Sequence, residues 1–216
     1  MLNVQEALNQ SNDLLSKAGI ETARLDARLL IEHALGLSPH ESTLKSERLL
    51  RAEEYARLQV LMARRAKREP LAYIVAEREF WSLSFKVSPA TLVPRPDSET
   101  VIETALANIT DRGTALTVLD LGTGSGCLLL SLLHELPGAT GVGVDRCPEA
   151  LKIARENAKQ LSLSERASFV CADWSNGLLA SFNIILCNPP YISYEDLETL
   201  MPEVVNYEPR HALSGG

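Results

Sequence analysis

Aromatic side chains are scarce in this chain of 216 residues, at 5% of positions. No stretch approaches the roughly 18 uncharged apolar residues that a membrane span requires. A secretory start is missing as well: Met1-Leu2-Asn3-Val4-Gln5-Glu6 has neither a basic opening nor an apolar stretch behind it. The four cysteines (Cys127, Cys147, Cys171 and Cys187) are widely spaced and form no C-x-x-C pair. That pattern argues against zinc and dithiol chemistry, so no metal is expected. It leaves the cysteines as small core residues of a reducing compartment, with the cytoplasm as the expected location and no membrane contact. A basic excess is lacking too. The net charge is −7, and residues 95–216 carry 8 basic against 16 acidic side chains, whereas residues 1–94 carry 13 and 12. An enzyme that grips duplex nucleic acid neutralises phosphates with a basic surface, and the acidic second part argues against that. The one basic cluster, Arg64-Arg65-Ala66-Lys67-Arg68, is expected at a helix C-terminus, where it complements the dipole and faces water. A contact for an anionic partner such as RNA is the alternative.

What is present divides by period. Residues 1–70 read as short helices. Val4, Ala7, Leu8, Leu14, Leu15 and Ala18 follow helical spacing up to Gly19, and Thr22 is placed to cap a second helix with Leu25, Leu29, Leu30 and Ala34 inward. A turn or helical piece follows from Pro39 to Lys45. A longer helix then runs from about Ala52 to Arg68, with Tyr55, Leu58, Leu61 and Met62 inward, and stops before Pro70. Residues 71–94 change character: Phe80, Trp81, Leu83, Phe85 and Val87 are strand-like, and the segment reads as a hairpin linker between two domains. Residues 95–216 open with a helix capped by Asp97 or Ser98. They then alternate strand and helix, with strands at Thr117–Asp120, Gly141–Asp145, Ala167–Cys171 and Phe182–Cys187. Helices at Leu128–Leu133 and after Pro148 separate them. Repeated β-α-β units with apolar strands predict an α/β fold, a doubly wound parallel sheet preceded by a small all-α domain.

Two motifs carry chemistry. Asp120-Leu-Gly122-Thr123-Gly124-Ser125-Gly126 closes the first of these strands and opens a helix, where glycine lets backbone approach a ligand beyond the carboxyl ends of the strands. Asp145, 19 residues after Gly126, ends the next strand at the place of an acid for two ribose hydroxyls. Asp173-Trp174 follows the third strand, where an aspartate could accept from an exocyclic amine and an indole could cover a ring. The second motif is Asn188-Pro189-Pro190-Tyr191, at the exit of the fourth strand. Neither proline has an N–H for a ladder, so the chain leaves rigidly, with an amide and a phenol flanking the break. That arrangement suits holding a planar nitrogen group. A turn-forming glycine cluster and a merely rigid strand exit are the plain structural readings of the same residues.

This order resembles the Class I methyltransferases that act on planar nitrogen. The segments Pro70-Leu-Ala-Tyr-Ile, Glu79-Phe-Trp, Leu92-Val-Pro-Arg-Pro-Asp, Asp120-Leu-Gly-Thr-Gly-Ser-Gly, Ala172-Asp-Trp, Asn188-Pro-Pro-Tyr-Ile and Glu208-Pro-Arg-His-Ala-Leu match one family in order. The chain is similar to the bacterial peptide chain release factor glutamine N5-methyltransferases over nearly its whole length. The resemblance implies a Rossmann-like Class I methyltransferase sheet and S-adenosyl-L-methionine as cofactor, with S-adenosyl-L-homocysteine as product. It implies release factors as protein substrates, recognised by the helical domain, and no direct nucleic acid. Gly122 to Gly126 would wrap the methionine and ribose, with Asp120 near the amino group, Asp145 on the ribose and Asp173 and Trp174 near the adenine. Asn188, Pro189, Pro190 and Tyr191 would receive the glutamine, Asn188, Pro189 and Tyr191 acting in catalysis and Asn188 also bordering the cofactor. Arg95 to Glu99 would help wall the site.

Members of that family continue beyond the position of Ser214-Gly215-Gly216. The resemblance therefore implies a catalytic domain lacking its fifth strand and terminal antiparallel pair. The full-length protein is expected to be a monomer, and the present chain to be prone to self-association through an open strand edge. The rival functions are a nucleic-acid amino-methyltransferase, a cofactor-binding fragment without turnover, and a nicotinamide dehydrogenase. The last has no obvious use for Asn-Pro-Pro-Tyr.

Overall fold

Local signals start and stop the helices of the N-terminal part. A computed structural model describes residues 2–215 and divides the chain into two units, one ending at Val75 and the other starting at Ala76. In the first unit, Asn3 and Glu6 form a reciprocal capping box that opens α1 (Val4–Lys17). The helix α2 (Ala23–Leu35) stops at Gly36, whose φ of 64° is a left-handed conformation that glycine adopts without strain. Ser38 and Glu41 box the start of α3 (Pro39–Leu44), with Pro39 in the first turn. The helices α4 (Ala52–Ala66) and α5 (Leu71–Val75) complete the unit. Leu15, Leu30, Ile31, Leu50, Leu58 and Met62 form its core.

Three expectations change here. Leu25 is exposed, and the inward face of α2 instead runs through Ala23, Asp26, Ala27, Leu30, Ile31 and Ala34. The reason lies within the basic cluster: Arg65 turns inward and pairs with Asp26 at 2.7 Å, the two side chains 7% and 5% exposed. Arg64 pairs with Glu69 at 2.6 Å, so the cluster is only partly a solvated face. Residues 71–75, expected to begin the hairpin segment, form α5.

The second unit starts with an antiparallel hairpin, β1 (Glu77–Phe80) and β2 (Leu83–Lys86). Its two-residue turn, Trp81-Ser82, has φ of 53° and 56°, values usually left to glycine or asparagine. The Trp81 N–H donates to Glu99 and its indole Nε1 to Glu135, both at 2.9 Å, and these bonds offset the strain. Phe80 and Phe85 are buried in the core of this unit, so the segment expected as a linker packs with the second unit.

A 3₁₀ turn, Pro96–Ser98, leads into α6 (Glu99–Ala107). Then come β3 (Thr117–Leu121), α7 (Cys127–Glu135), β4 (Thr140–Asp145), α8 (Pro148–Gln160), β5 (Ala167–Cys171) and β6 (Ile184–Cys187). The strands are all parallel, in the order β5-β4-β3-β6. This is the α/β architecture expected from the strand–helix alternation. β6 starts at Ile184 rather than Phe182, because Asn183 Oδ1 accepts from the Thr117 N–H (2.8 Å) and hydroxyl (2.9 Å) ahead of the ladder. Leu129, Leu130, Leu132 and Leu133 of α7 are fully buried, the all-round apolar character of a helix laid on a sheet. Two short helices, α9 (Tyr194–Leu197) and α10 (Pro202–Tyr207), and a 3₁₀ turn, Arg210–Ala212, follow β6. Among the described residues no helix is long and apolar enough to cross a membrane.

The Asp26–Arg65 pair yields the first prediction. Removing one partner strands a buried charge, so Asp26→Ala is expected to lower stability by about 3–5 kcal/mol. The double variant Asp26→Leu/Arg65→Met is expected to recover most of that loss. Urea unfolding followed by circular dichroism reads both; an unchanged midpoint in Asp26→Ala would contradict the role given to the pair.

Candidate active site

The carboxyl ends of β3, β4, β5 and β6 face one cleft. At its base the glycine loop turns back on the neighbouring strand: the N–H groups of Gly122 and Thr123 both donate to the Val144 carbonyl at 2.9 Å. Gly122, Gly124 and Gly126 have φ of 72°, 55° and 81°, so each needs glycine's freedom. At Gly122 a Cβ would meet no other atom within 4 Å, leaving open space above the loop. Gly143 of β4 supplies clearance below it, since a Cβ there would stand 2.9 Å from Thr123 Oγ1.

Asp145 couples the loop to the next helix. Its Oδ2 accepts from the Gly124 N–H at 2.8 Å and its Oδ1 from the Cys147 N–H at 2.9 Å, while the side chain still lines the cleft. Asp173 and Trp174 line the same cleft from the end of β5, Trp174 with a φ of 54° and its indole half exposed. Asp120 is placed differently. It lies beneath the loop, 1% exposed, with Oδ2 accepting from Thr123 Oγ1 at 2.6 Å. Burial raises its carboxyl from 3.8 to about 6, against the lowering effect of the Thr123 hydrogen bond. Loss of solvent pushes the Cys127 thiol on the cleft wall up to about 12, so it stays protonated near neutral pH and is no nucleophile.

Beyond β6 the chain separates two spaces. Asn188 and Pro190 line the cleft just described and also a second pocket, whose walls include Pro189, Tyr191, Ile192, Val101, Leu200 and Val204. Leu92, Arg95, Ser98 and Ala212 border both. Gly122 to Ser125, Asp145, Asp173, Trp174 and Asn188 thus meet at the first cleft, and Pro189 and Tyr191 at the second, whereas Gly126 borders neither and is backed by Leu130 and Ala154. Asp97 lines only the second pocket, and Glu99 is turned to Trp81.

Several residues here carried no signal in the sequence. Asn157 of α8, fully buried, donates from Nδ2 to the carbonyls of Ser125 (2.8 Å) and Lys86 (3.0 Å) and accepts the Lys86 N–H (2.8 Å). It ties the loop to the hairpin. Glu208, its side chain 1% exposed, pairs with Arg95 at 2.6 Å and accepts the Val93 N–H at 3.3 Å, bringing His211 and Ala212 to the cleft. The matched Glu-Pro-Arg-His-Ala-Leu segment was the only available hint, and it named no contact. Among the described residues no cluster of three or more His, Cys, Asp or Glu could hold a metal ion.

Comparison with known proteins gives the class and then the family. Residues 113–212 match the family model described as a methyltransferase domain, and residues 6–75 that of the PrmC N-terminal domain. The hMettl16 catalytic domain, solved in complex with a MAT2A 3'UTR hairpin, superposes with a TM-score of 0.52 at 23% identity, covering 72% of this chain and 58% of that one. That likeness speaks for the fold alone. The sheet, its glycine loop and the domain match define a Class I methyltransferase. Relatives narrow the class. A release factor glutamine methyltransferase of Caulobacter vibrioides is 42% identical over 100% of this chain and 74% of its own length. One of Vibrio cholerae is 39% identical over 98% and 73%. One of Rhodospirillum rubrum is 45% identical over 94% of this chain, which spans 62% of that relative. The chain belongs to the release factor glutamine methyltransferase family.

The raised Asp120 carboxyl has a consequence for stability. Between about pH 4 and 6 the unfolded chain ionises this group while the folded chain keeps it protonated, so its contribution falls as pH rises through that window. A rise of this size costs about 3 kcal/mol at neutral pH, to order of magnitude. Asp120→Asn, which can still accept from Thr123, is expected to raise the melting temperature at pH 7.5, with the difference vanishing below pH 4. A thermal-melt series against pH tests this; a pH-independent difference would refute it.

Proposed function

We propose that this chain transfers a methyl group from S-adenosyl-L-methionine to the side-chain amide nitrogen, N5, of the glutamine in the Gly-Gly-Gln segment of peptide chain release factors. The observation that carries this reading is the shared wall: Asn188 and Pro190 border two pockets at once, so a donor in one and a planar amide in the other meet at the asparagine. The first cleft suits the donor, with open space above Gly122, a carboxylate at Asp145 and an indole at Trp174. In this reading Gly122 to Gly126 flank the methionine and ribose, Asp145 accepts from the ribose hydroxyls, and Asp173 and Trp174 flank the adenine. Asp120, buried below, acts on the methionine end through Thr123 and the loop. S-adenosyl-L-methionine supplies an electrophilic methyl carbon on a sulfonium.

The residues at the wall do the remaining work. A carboxamide nitrogen is a poor nucleophile because its lone pair is delocalised into the carbonyl. Asn188 Oδ1 and the Pro189 backbone carbonyl accept the two amide hydrogens and stabilise positive charge as it develops on nitrogen. Tyr191, 78% exposed on the chain alone, packs on the flat amide and excludes water. Holding the amide in line with the methyl group supplies the orientation part of the acceleration. No strong base is needed, since an N-methylated, protonated amide is acidic enough to lose its proton to water. The helical unit recognises the release factor, and the reaction takes place in the cytoplasm.

Asn188→Ala is expected to lower methyl transfer by about a hundredfold or more, the usual cost of a lost charge-stabilising contact. Binding of S-adenosyl-L-homocysteine, measured by calorimetry, is expected to change only severalfold. With labelled S-adenosyl-L-methionine and separate incubations with release factor and nucleic acid, label on the Gly-Gly-Gln glutamine is the expected result. Label on nucleic acid instead would replace this reading with a nucleic-acid amino-methyltransferase.

A further inference from the structure

The asparagine at the shared wall is held by a residue outside its own motif. Asn188 Nδ2 donates to Ser98 Oγ at 3.3 Å across 90 positions of sequence. Ser98 stands at the N-cap of α6, where a serine ordinarily accepts a backbone N–H of the first turn, yet its side chain makes no cap bond. Its hydroxyl is turned to the asparagine instead. The turn that carries it is anchored: the Ser98 N–H donates to the Arg95 carbonyl at 3.0 Å, and Arg95 is paired with the buried Glu208 at 2.6 Å.

This contact ties down one end of the Asn188 amide. An asparagine amide accepts at oxygen and donates at nitrogen, and a half-turn of the side chain exchanges them. A flipped Asn188 would present N–H groups to the N–H groups of an incoming amide, a donor facing donors. A serine hydroxyl can donate or accept, so the contact fixes where the amide sits; with Nδ2 toward Ser98, as in this structure, Oδ1 is left for the substrate.

We propose that Ser98 is a positioning residue for methyl transfer, its hydroxyl bonding Asn188 Nδ2 and thereby holding the side chain in place at the wall, with Oδ1 free for the substrate nitrogen. The proposal rests on the methyltransferase reading above. Ser98→Ala is expected to lower kcat about tenfold, the size of one lost hydrogen bond acting in the transition state, while the KM for S-adenosyl-L-methionine moves by no more than about twofold. Ser98→Thr, which keeps the hydroxyl, is expected to restore most of the rate. In an Asn188→Ala background, Ser98→Ala is expected to add nothing, because it acts through Asn188; a further tenfold loss there would overturn the proposal. A readout independent of turnover is the side-chain NH₂ pair of Asn188 in nitrogen-15-labelled protein, assigned by its disappearance in Asn188→Ala. Ser98→Ala is expected to move that pair to free-amide positions, and a pair already there in the unmodified chain would overturn the proposal. Failure of the underlying methyltransferase reading looks different: no label reaches the release factor, yet the Asn188 pair still responds to Ser98→Ala.

Discussion

The site depends on how the glycine loop is hung. Although it follows β3, its anchors lie on the next strand and helix: Val144 carries the Gly122 and Thr123 N–H groups, Asp145 carries that of Gly124, and Asn157 holds the Ser125 carbonyl. Parallel pairing of β3 and β4, with Leu121 opposite Val144, sets where those anchors stand. Asp145 therefore has two duties, one in shaping the loop and one at the cleft. Its two backbone bonds keep the carboxylate from turning away, so the same bonds that fold the loop also fix the carboxylate at the cleft.

A second set of contacts closes the opposite side. Glu208 holds Arg95 and the Val93 N–H, and the chain after Tyr191 returns through a parallel bridge between Ile192 and Ser214. The segments 92–98 and 208–213 thereby border both pockets. This buried carboxylate has a partner on each oxygen, a guanidinium on one and a backbone N–H on the other, and such pairing is what makes burying the charge tolerable. The hairpin joins this framework through Asn157, whose amide bonds Lys86 on one side and the loop on the other.

What could be read from the sequence was what is encoded locally. Strand–helix alternation, glycine at the β3 exit and Pro148 at the start of α8 each act within a few residues, and those elements lie where expected. Of the motif residues, Gly122 to Ser125, Asp145, Asp173, Trp174 and Asn188 line one cleft, whereas Asp120 lies beneath the loop. Pairings across long separations left no trace in spacing. Arg65 finds Asp26 at 39 positions and Glu208 finds Arg95 at 113, and spacing alone therefore presents the basic cluster as solvated and turns Leu25 inward. The Trp81-Ser82 turn was hidden for another reason. It uses left-handed backbone without glycine, sustained by Glu99 and Glu135, which no local rule connects to it. Ser98 carried a standard capping signal whose hydroxyl is spent elsewhere.

Asn188 and Pro190 line both pockets. Whatever occupies one space becomes lining for the other, so the two occupants share a coupling free energy and each must change the other's affinity by the same factor. Under the proposed function, the tightness with which the donor is retained would be a property of the incoming amide as well as of the donor's own contacts. On that reading both occupants differ, once the methyl has crossed, from those that entered, and the same reciprocity would make the release of each product depend on the presence of the other.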